Sequence, residues 1–144
     1  MAFEVKQLPG HTPDFPRLQV QSGTSWEGIA GFSRALRLGD RVCISGTTPT
    51  RQGRAVGGDD AGAQTTFALD IAEASLRALG GSLADVLRTR LYVRRLEDWE
   101  AVARAHGQRF REHHPANTLV QAGLVGEEYL VEVELEALLG PRAA

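Results

Sequence analysis

The sequence predicts an α+β domain in which two helices cover one face of a mostly antiparallel sheet. Two observations lead to this class: runs with strand-like alternation flank two runs with helical periodicity, and the elements follow in the order hairpin, helix, strand, helix, hairpin. With 144 residues, 42% of them hydrophobic and 24% charged, the chain is long enough for one core. We therefore expect a single domain over residues 1–144, with residues 1–29 as a weakly defined N-terminal extension.

Charge and composition exclude several classes of function. The net charge is −2, and the 16 basic residues are scattered along the chain, which disfavours nucleic acid as a partner. No apolar run is long enough to span a bilayer, the start does not resemble a secretion signal, and there is one cysteine. We predict a cytoplasmic protein without membrane contact. No metal-binding or phosphate-loop motif occurs, so no metal and no cofactor are expected.

The first elements are an edge strand and a hairpin. The segment FEVKQL predicts the edge strand, and FSRALRL and RVCISG predict two strands joined by a tight turn at Gly39-Asp40. In the second hairpin strand Val42 and Ile44 face one way and Cys43 the other. Because both faces are largely uncharged, this strand is predicted to be central. We expect Cys43 to be a small buried hydrophobe rather than a reactive thiol.

The end of that strand is a candidate binding point. Ser45, Gly46 and Thr47 leave the sheet there, and glycine permits close approach of a backbone to another group. Backbone N–H groups at this point would serve a ligand or merely form a turn, and the sequence does not separate these two interpretations.

Two helices and one strand fill the middle of the chain. A helix is predicted from Asp59 or Asp60 to Leu79, where Gly80 follows as the stop signal. A second helix is predicted over residues 96–113. Its inner stripe is Trp99, Val102, His106 and Phe110. We expect His106 to be a packed residue at the edge of the core rather than a ligand. The strand over residues 86–93 has a predicted core face of Leu87, Thr89, Leu91 and Val93.

The last quarter of the chain predicts a C-terminal hairpin of strands 117–122 and 131–138. In the second strand Glu132, Glu134 and Glu136 alternate with apolar residues, so the three carboxylates share one face. They repel one another unless water, cations or donors of a partner lie against them. Either this face is wet or it lines a site. The mixture of charged and uncharged residues on this face of the sheet suggests that a partner subunit covers it.

Three segments in the same order resemble the Rid family, known also as YjgF or reactive intermediate deaminase and formerly as endoribonuclease L-PSP or translation inhibitor. The segments are GFSRALRLGDRVCISGTTPT, LGGSLADVLRTRLYVRRLEDWEAV, and PANTLVQ with VEVELEAL, between residues 30 and 138. The resemblance implies a chorismate-mutase-like fold, a homotrimer whose sheets form a central barrel, and three clefts between subunits that bind a small molecule.

The resemblance also implies site residues. It places the family's water-activating glutamate on Glu136. Substrate-binding positions fall on Phe32, Ser45, Gly46 and Asn117, and we expect Thr47 to converge with them and with Glu136 on one cleft between subunits. At Asn117 the family carries an arginine that holds the substrate carboxylate, and asparagine supplies neither the fixed charge nor the bidentate fork. We therefore expect little or no hydrolysis of 2-iminobutyrate.

Two functions stay open from the sequence. In the first, the chain hydrolyses imines or enamines, with Glu136 orienting water and Arg34 serving the substrate in place of the missing arginine. In the second, it is a non-catalytic trimeric protein that binds or senses a ligand. An endoribonuclease activity rests only on the older family name, and the pI near 6.1 counts against it.

Overall fold

The computed structural model describes Met1 and residues 3–141, and one seven-stranded sheet dominates it. In chain order the strands and helices are β1 (Glu4–Gln7), β2 (Arg17–Gln21), α1 (Ser25–Ala30), β3 (Ala35–Leu38), β4 (Arg41–Thr47), β5 (Thr50–Arg51), β6 (Arg54–Ala55), α2 (Ala61–Ala78), β7 (Val86–Val93), α3 (Trp99–Arg109), β8 (Ala116–Gln121) and β9 (Val131–Leu138). Short 3₁₀ turns precede β7 at Leu83–Asp85 and α3 at Leu96–Asp98.

The sheet has the order β1-β2-β3-β4-β9-β7-β8, and β5 and β6 form a separate small hairpin. Every neighbouring pair in the large sheet is antiparallel except β7 and β8, which are parallel. Helices α2 and α3 pack on each other and on one face of the sheet. The predicted α+β class with a mostly antiparallel sheet is confirmed, and β4 is central, between β3 and β9.

The N-terminal residues contain more structure than the sequence indicated. The predicted edge strand is present as β1, but β2 and the six-residue helix α1 were not predicted. Helix α1 ends at Gly31, whose left-handed backbone (φ 71°) closes it. Elements this short present less than two turns or three alternations, so their periodicity is too weak to recognise.

The predicted C-terminal hairpin is wrong. Strand β9 lies between β4 and β7, whereas β8 lies at the edge of the sheet and pairs only with β7. The connection from β7 to β8 runs through α3, and a helical crossover of this kind joins parallel strands. The two last strands are neighbours in sequence and not in space.

The core lies between the sheet and the two long helices. Small residues of α2 let this helix approach β4 and β9 closely, since Ala68, Ala72 and Ser75 are fully buried. The side chain of Asp60 accepts a hydrogen bond from the backbone N–H of Ala63 at 3.0 Å, which confirms the predicted start of this helix.

Two predicted core positions are wrong. Trp99, at the first position of α3, is 52% exposed, although Val102, His106 and Phe110 of the same stripe are buried. Leu87 is 60% exposed, and Val86 takes the core position instead. The pairing of β7 with β9 shifts register between Val86 and Arg88. A bulge of this kind reverses the facing of the residues before it, which strict alternation does not anticipate.

Cys43 also departs from the prediction. Val42 and Ile44 face the core as expected, but Cys43 is exposed on the face of the sheet turned away from α2 and α3. We call this the outer face. Nothing in the described part of a single chain covers it at Cys43.

Candidate functional site

The predicted site residues are divided between the two faces of the sheet. Glu136 stands opposite Arg88 of β7 and Cys43 of β4, on the outer face. Asn117 stands opposite Thr89, which is buried toward the helices. Successive residues of a strand point to opposite faces. A single chain therefore does not bring Glu136 and Asn117 to one cleft.

The glutamate row of β9 is balanced by groups of the same chain. Arg90 Nη1 lies 3.5 Å from Glu136 Oε1 and 3.7 Å from Glu134 Oε2, and Arg41 Nη2 lies 3.9 Å from Glu136 Oε2. The hydroxyl of Tyr92 donates to Glu134, and this hydrogen bond raises the pKa of Tyr92. Both ion pairs of Glu136 are long, so its carboxylate keeps acceptor capacity for water or a ligand.

A second group of candidate residues lies at the start of β3 and the end of β4. Arg34 Nη2 donates to the carbonyl oxygen of Gly46, and the Arg34 guanidinium lies 5.7 Å from the centroid of the Phe32 ring. Burial lowers the pKa of Arg34, while the carboxylates of Glu27 and Glu132 oppose that shift. Its Nε is buried and has no partner among the described residues. The structure thus brings Phe32, Arg34 and Gly46 together.

The hydroxyl groups beside Gly46 are used within the fold. Ser45 Oγ donates to the carbonyl oxygen of Ser33 at 2.6 Å, and Thr47 Oγ1 donates to the carbonyl oxygen of Ser45 at 2.7 Å. Thr47 is buried toward the core. Ser45 therefore offers a ligand an acceptor rather than a proton, and Thr47 does not face the open side of this group.

Gly46 lies against a neighbouring side chain. A Cβ atom built at Gly46 would meet the carboxylate of Glu132, the far end of a flexible side chain, so a larger residue here would displace that carboxylate. Burial raises the pKa of Glu132, Arg34 opposes the shift and Glu134 adds to it. Sequence reasoning did not single out Glu132 at this point, although its place in the glutamate row was the available signal.

Asn117 belongs to a series of hydrogen bonds that reaches α3. Its amide nitrogen lies 3.0 Å from Thr89 Oγ1 and 3.4 Å from the Thr89 carbonyl oxygen, and Thr89 Oγ1 lies 2.7 Å from His106 Nε2. The His106 ring packs 4.7 Å from the Phe110 ring, and burial lowers its pKa. His106 is a packed residue at the core edge, as predicted. The role of Thr89 was missed, although a threonine on an otherwise apolar strand face was a signal for it.

None of the helices among residues 3–141 has the length and apolar character that crossing a bilayer requires.

The fold and the site define a class: an α+β domain whose antiparallel sheet carries two helices on one face and a glutamate row on the other. The family model described as endoribonuclease L-PSP matches residues 23–139. The chain belongs to this family, which is the YjgF or Rid family, and the resemblance drawn from the sequence is confirmed.

Individual relatives agree with the family assignment. The 3-aminoacrylate deaminase RutC of Acinetobacter baylyi is 32% identical over 106 residues, which are 73% of this chain and 84% of the relative. The crystal structure of Rv2704 from Mycobacterium tuberculosis, a YjgF/YER057c/UK114 family member, has 39% identity and a TM-score of 0.78, covering 85% of this chain and 99% of that one. The YjgF gene product of Escherichia coli has 26% identity and a TM-score of 0.68, covering 74% and 87%.

Proposed function

We propose that this chain forms a homotrimer that binds a small imine or enamine in clefts between its copies and hydrolyses it, with a substrate range that differs from 2-imino acids. The observation that carries the proposal is the state of Glu136, a half-buried carboxylate whose ion pairs among the described residues are long, at 3.5 and 3.9 Å. The similarity to RutC, a 3-aminoacrylate deaminase, supports the reaction class.

The reaction needs one general base and one water molecule. Glu136 accepts a proton from water as the water oxygen attacks the imine carbon, which forms a carbinolamine. That proton reaches the nitrogen, the Glu136 carboxylate then carries the hydroxyl proton of the carbinolamine to the same nitrogen as the C–N bond breaks, and a carbonyl compound and ammonia leave. A positioned carboxylate of this kind contributes about 10²- to 10⁴-fold to the rate.

The cluster of Phe32, Arg34 and Gly46 is the binding half of the proposed cleft. Its support is the guanidinium of Arg34, a cation beside an aromatic ring with a buried Nε that lacks a partner among the described residues. A buried donor without an acceptor costs about 1–3 kcal/mol, so the fold holds Arg34 in this cluster at a cost to stability. Arg34 is the cation that we assign to the substrate.

A second candidate is a non-catalytic trimeric protein that binds a ligand. One observation favours it: the amide hydrogens of Asn117 are engaged by Thr89, so this position offers no donor to a substrate carboxylate. An endoribonuclease activity has no comparable support, because two basic side chains of the outer face, Arg41 and Arg90, are paired with glutamates.

Hydrolysis of two imines separates the candidates. The first is 2-iminobutyrate, released by an amino-acid oxidase. The second is benzaldimine, which lacks a carboxylate and is released by a flavin amine oxidase. We expect the native chain to act on benzaldimine and scarcely on 2-iminobutyrate, and Glu136→Gln to lower kcat/KM by about 10²-fold or more. Equal rates for native and Glu136→Gln on both imines would favour the non-catalytic protein.

A further inference from the structure

The amide of Asn117 has a defined orientation. Its nitrogen faces two oxygens, Thr89 Oγ1 at 3.0 Å and the Thr89 carbonyl oxygen at 3.4 Å. A carbonyl oxygen only accepts, so the amide atom beside it is the NH₂ group. Exchanging the amide nitrogen and oxygen would set two acceptors against each other at this distance. The orientation therefore follows from the contacts themselves.

The hydrogen bonds beyond Asn117 reach His106. Thr89 Oγ1 accepts from Asn117 and lies 2.7 Å from His106 Nε2, to which it can donate its single proton. That donation needs a neutral His106 with its ring proton on Nδ1. The buried position of His106 favours the neutral ring. The chain thus runs from Asn117 to Thr89 to His106.

One polar atom of Asn117 then remains for a ligand. The NH₂ group is turned inward, Asn117 itself is exposed, and its Oδ1 makes no hydrogen bond to any described residue. An amide oxygen only accepts hydrogen bonds. At this point the edge strand β8 presents a hydrogen-bond acceptor. A carboxylate would need a hydrogen-bond donor there.

We propose that Thr89 and His106 are positioning residues that hold Asn117 Oδ1 toward the ligand, so that the site selects a ligand with a hydrogen-bond donor there, such as an amide N–H, an amine or a hydroxyl. The inference rests on the proposed function, in which the cleft lies between copies of the chain, so that Asn117 of one copy faces the ligand held at Glu136 of another. It deepens that function by naming the chemical class of the ligand: a carboxylate at this point meets an oxygen and is disfavoured, while its neutral amide counterpart is accepted.

The test uses a matched pair of carbonyl compounds, 2-oxobutanamide and 2-oxobutyrate, which differ only in NH₂ against O⁻. Binding of each to the full chain is followed by NMR titration. We expect the native chain to bind the amide about tenfold or more tightly than the acid, the change that a hydrogen bond to a charged or unpaired group produces. Equal affinity, or preference for the acid, would overturn the inference.

Three variants identify the cause of the preference. Asn117→Leu removes the acceptor at an exposed position, and we expect the preference for the amide to disappear. Thr89→Val frees the Asn117 amide to rotate, and we expect the preference to fall several-fold. Thr118→Val makes the same replacement of threonine by valine on β8, next to Asn117. The Thr118 hydroxyl contacts Arg88 and not Asn117, so this variant should leave the preference for the amide intact. A preference that survives Asn117→Leu would contradict the proposal.

Two spectroscopic signals report the positioning role without ligand or catalysis. We expect a ¹⁵N spectrum of the native chain to show His106 unprotonated at Nε2, and the Asn117 side-chain amide protons to exchange slowly with water. Thr89→Val should accelerate that exchange, whereas Thr118→Val should not. If imine hydrolysis is absent while these signals and the amide preference are present, the catalytic proposal fails alone. If hydrolysis is present while the signals or the preference are absent, this inference fails alone.

Discussion

Burial shifts the pKa of individual side chains on both faces of the sheet. On the outer face burial raises the pKa of Glu132, whose carboxylate lies beside Gly46. On the helix face burial lowers the pKa of His106, which favours the neutral ring. Both shifts have the same cause, since a charged group loses its hydration when the fold covers it. These are the groups through which pH acts on the folded chain.

The first prediction concerns His106 and acid stability. Its pKa in the fold lies below 6.5, the ordinary value that it regains on unfolding. The unfolded chain therefore binds a proton more readily, and its contribution to stability is present above pH 6.5 and is lost as pH falls from there toward the lowered pKa. We expect the urea midpoint of the native chain to fall between pH 7.5 and pH 5.5 by more than that of His106→Gln.

The control for this prediction is His113→Gln, which changes an exposed histidine near the end of α3. It should keep the native dependence of the urea midpoint on pH. If His106→Gln and the native chain lose stability equally on acidification, His106 is not the group that responds.

At the scale of elements, α3 joins the core to the site. Phe110, at its end, is almost fully buried, and its ring contacts His106, whose Nε2 lies 2.7 Å from Thr89 Oγ1 on β7. The helix also forms the crossover that sets β8 parallel to β7 and carries Asn117 to the edge of the sheet. Packing of this helix therefore determines where Asn117 lies.

The second prediction contrasts two aromatic residues of this helix region. Phe110→Ala leaves a cavity in the core, and we expect it to lower the free energy of unfolding by about 3–5 kcal/mol. Trp99→Ala removes a side chain that is 52% exposed, and we expect a change of about 1 kcal/mol or less. Urea denaturation followed by circular dichroism measures both. Equal losses would mean that Trp99 is packed as the helical stripe in the sequence indicated.

At the scale of the whole molecule, the outer face is the feature that a single chain leaves unfinished. This face carries the ion pairs of Arg90 with Glu134 and Glu136. It also carries two exposed apolar side chains, Leu38 and Leu138. Leu38 and Leu138 stand on either side of Arg41, in the registers that place all three on this face. A cyclic assembly of identical chains would cover such a face.

The third prediction is therefore the trimeric state. Light scattering at micromolar concentration should give three times the chain mass of 15.6 kDa. Leu138→Lys sets a charge into the proposed interface and should shift the mass toward the monomer, because an unpaired buried charge is costly. Leu96→Lys is the matched control, since Leu96 is 56% exposed and lies before α3, away from the outer face. A monomeric native chain would overturn the assembly and with it the proposed cleft.

Much of the site follows from local pattern and resemblance, but its geometry does not. Alternation in β9 and a glycine at a strand end are visible in sequence, and the resemblance to the family singled out Glu136 and Gly46 among these residues. The partner of Gly46, the carboxylate of Glu132, lies 86 positions further along the chain and was not recognised. Thr89 was assigned only to the core, because its bonds to Asn117 and His106 join three separate elements.

The sequence by itself determined the elements whose signals are local and long. Helix α2 with its Asp60 cap, strand β7, the alternation of β9 and the turn at Gly39 all lie where periodicity and turn residues predicted them. Tertiary structure alone decided which strands pair and which side chains meet. It inserted β9 between β4 and β7, left Trp99 exposed and turned the Asn117 amide inward. The physical reason is that periodicity reports which face a residue takes, while the choice of neighbour depends on contacts between residues far apart in the chain.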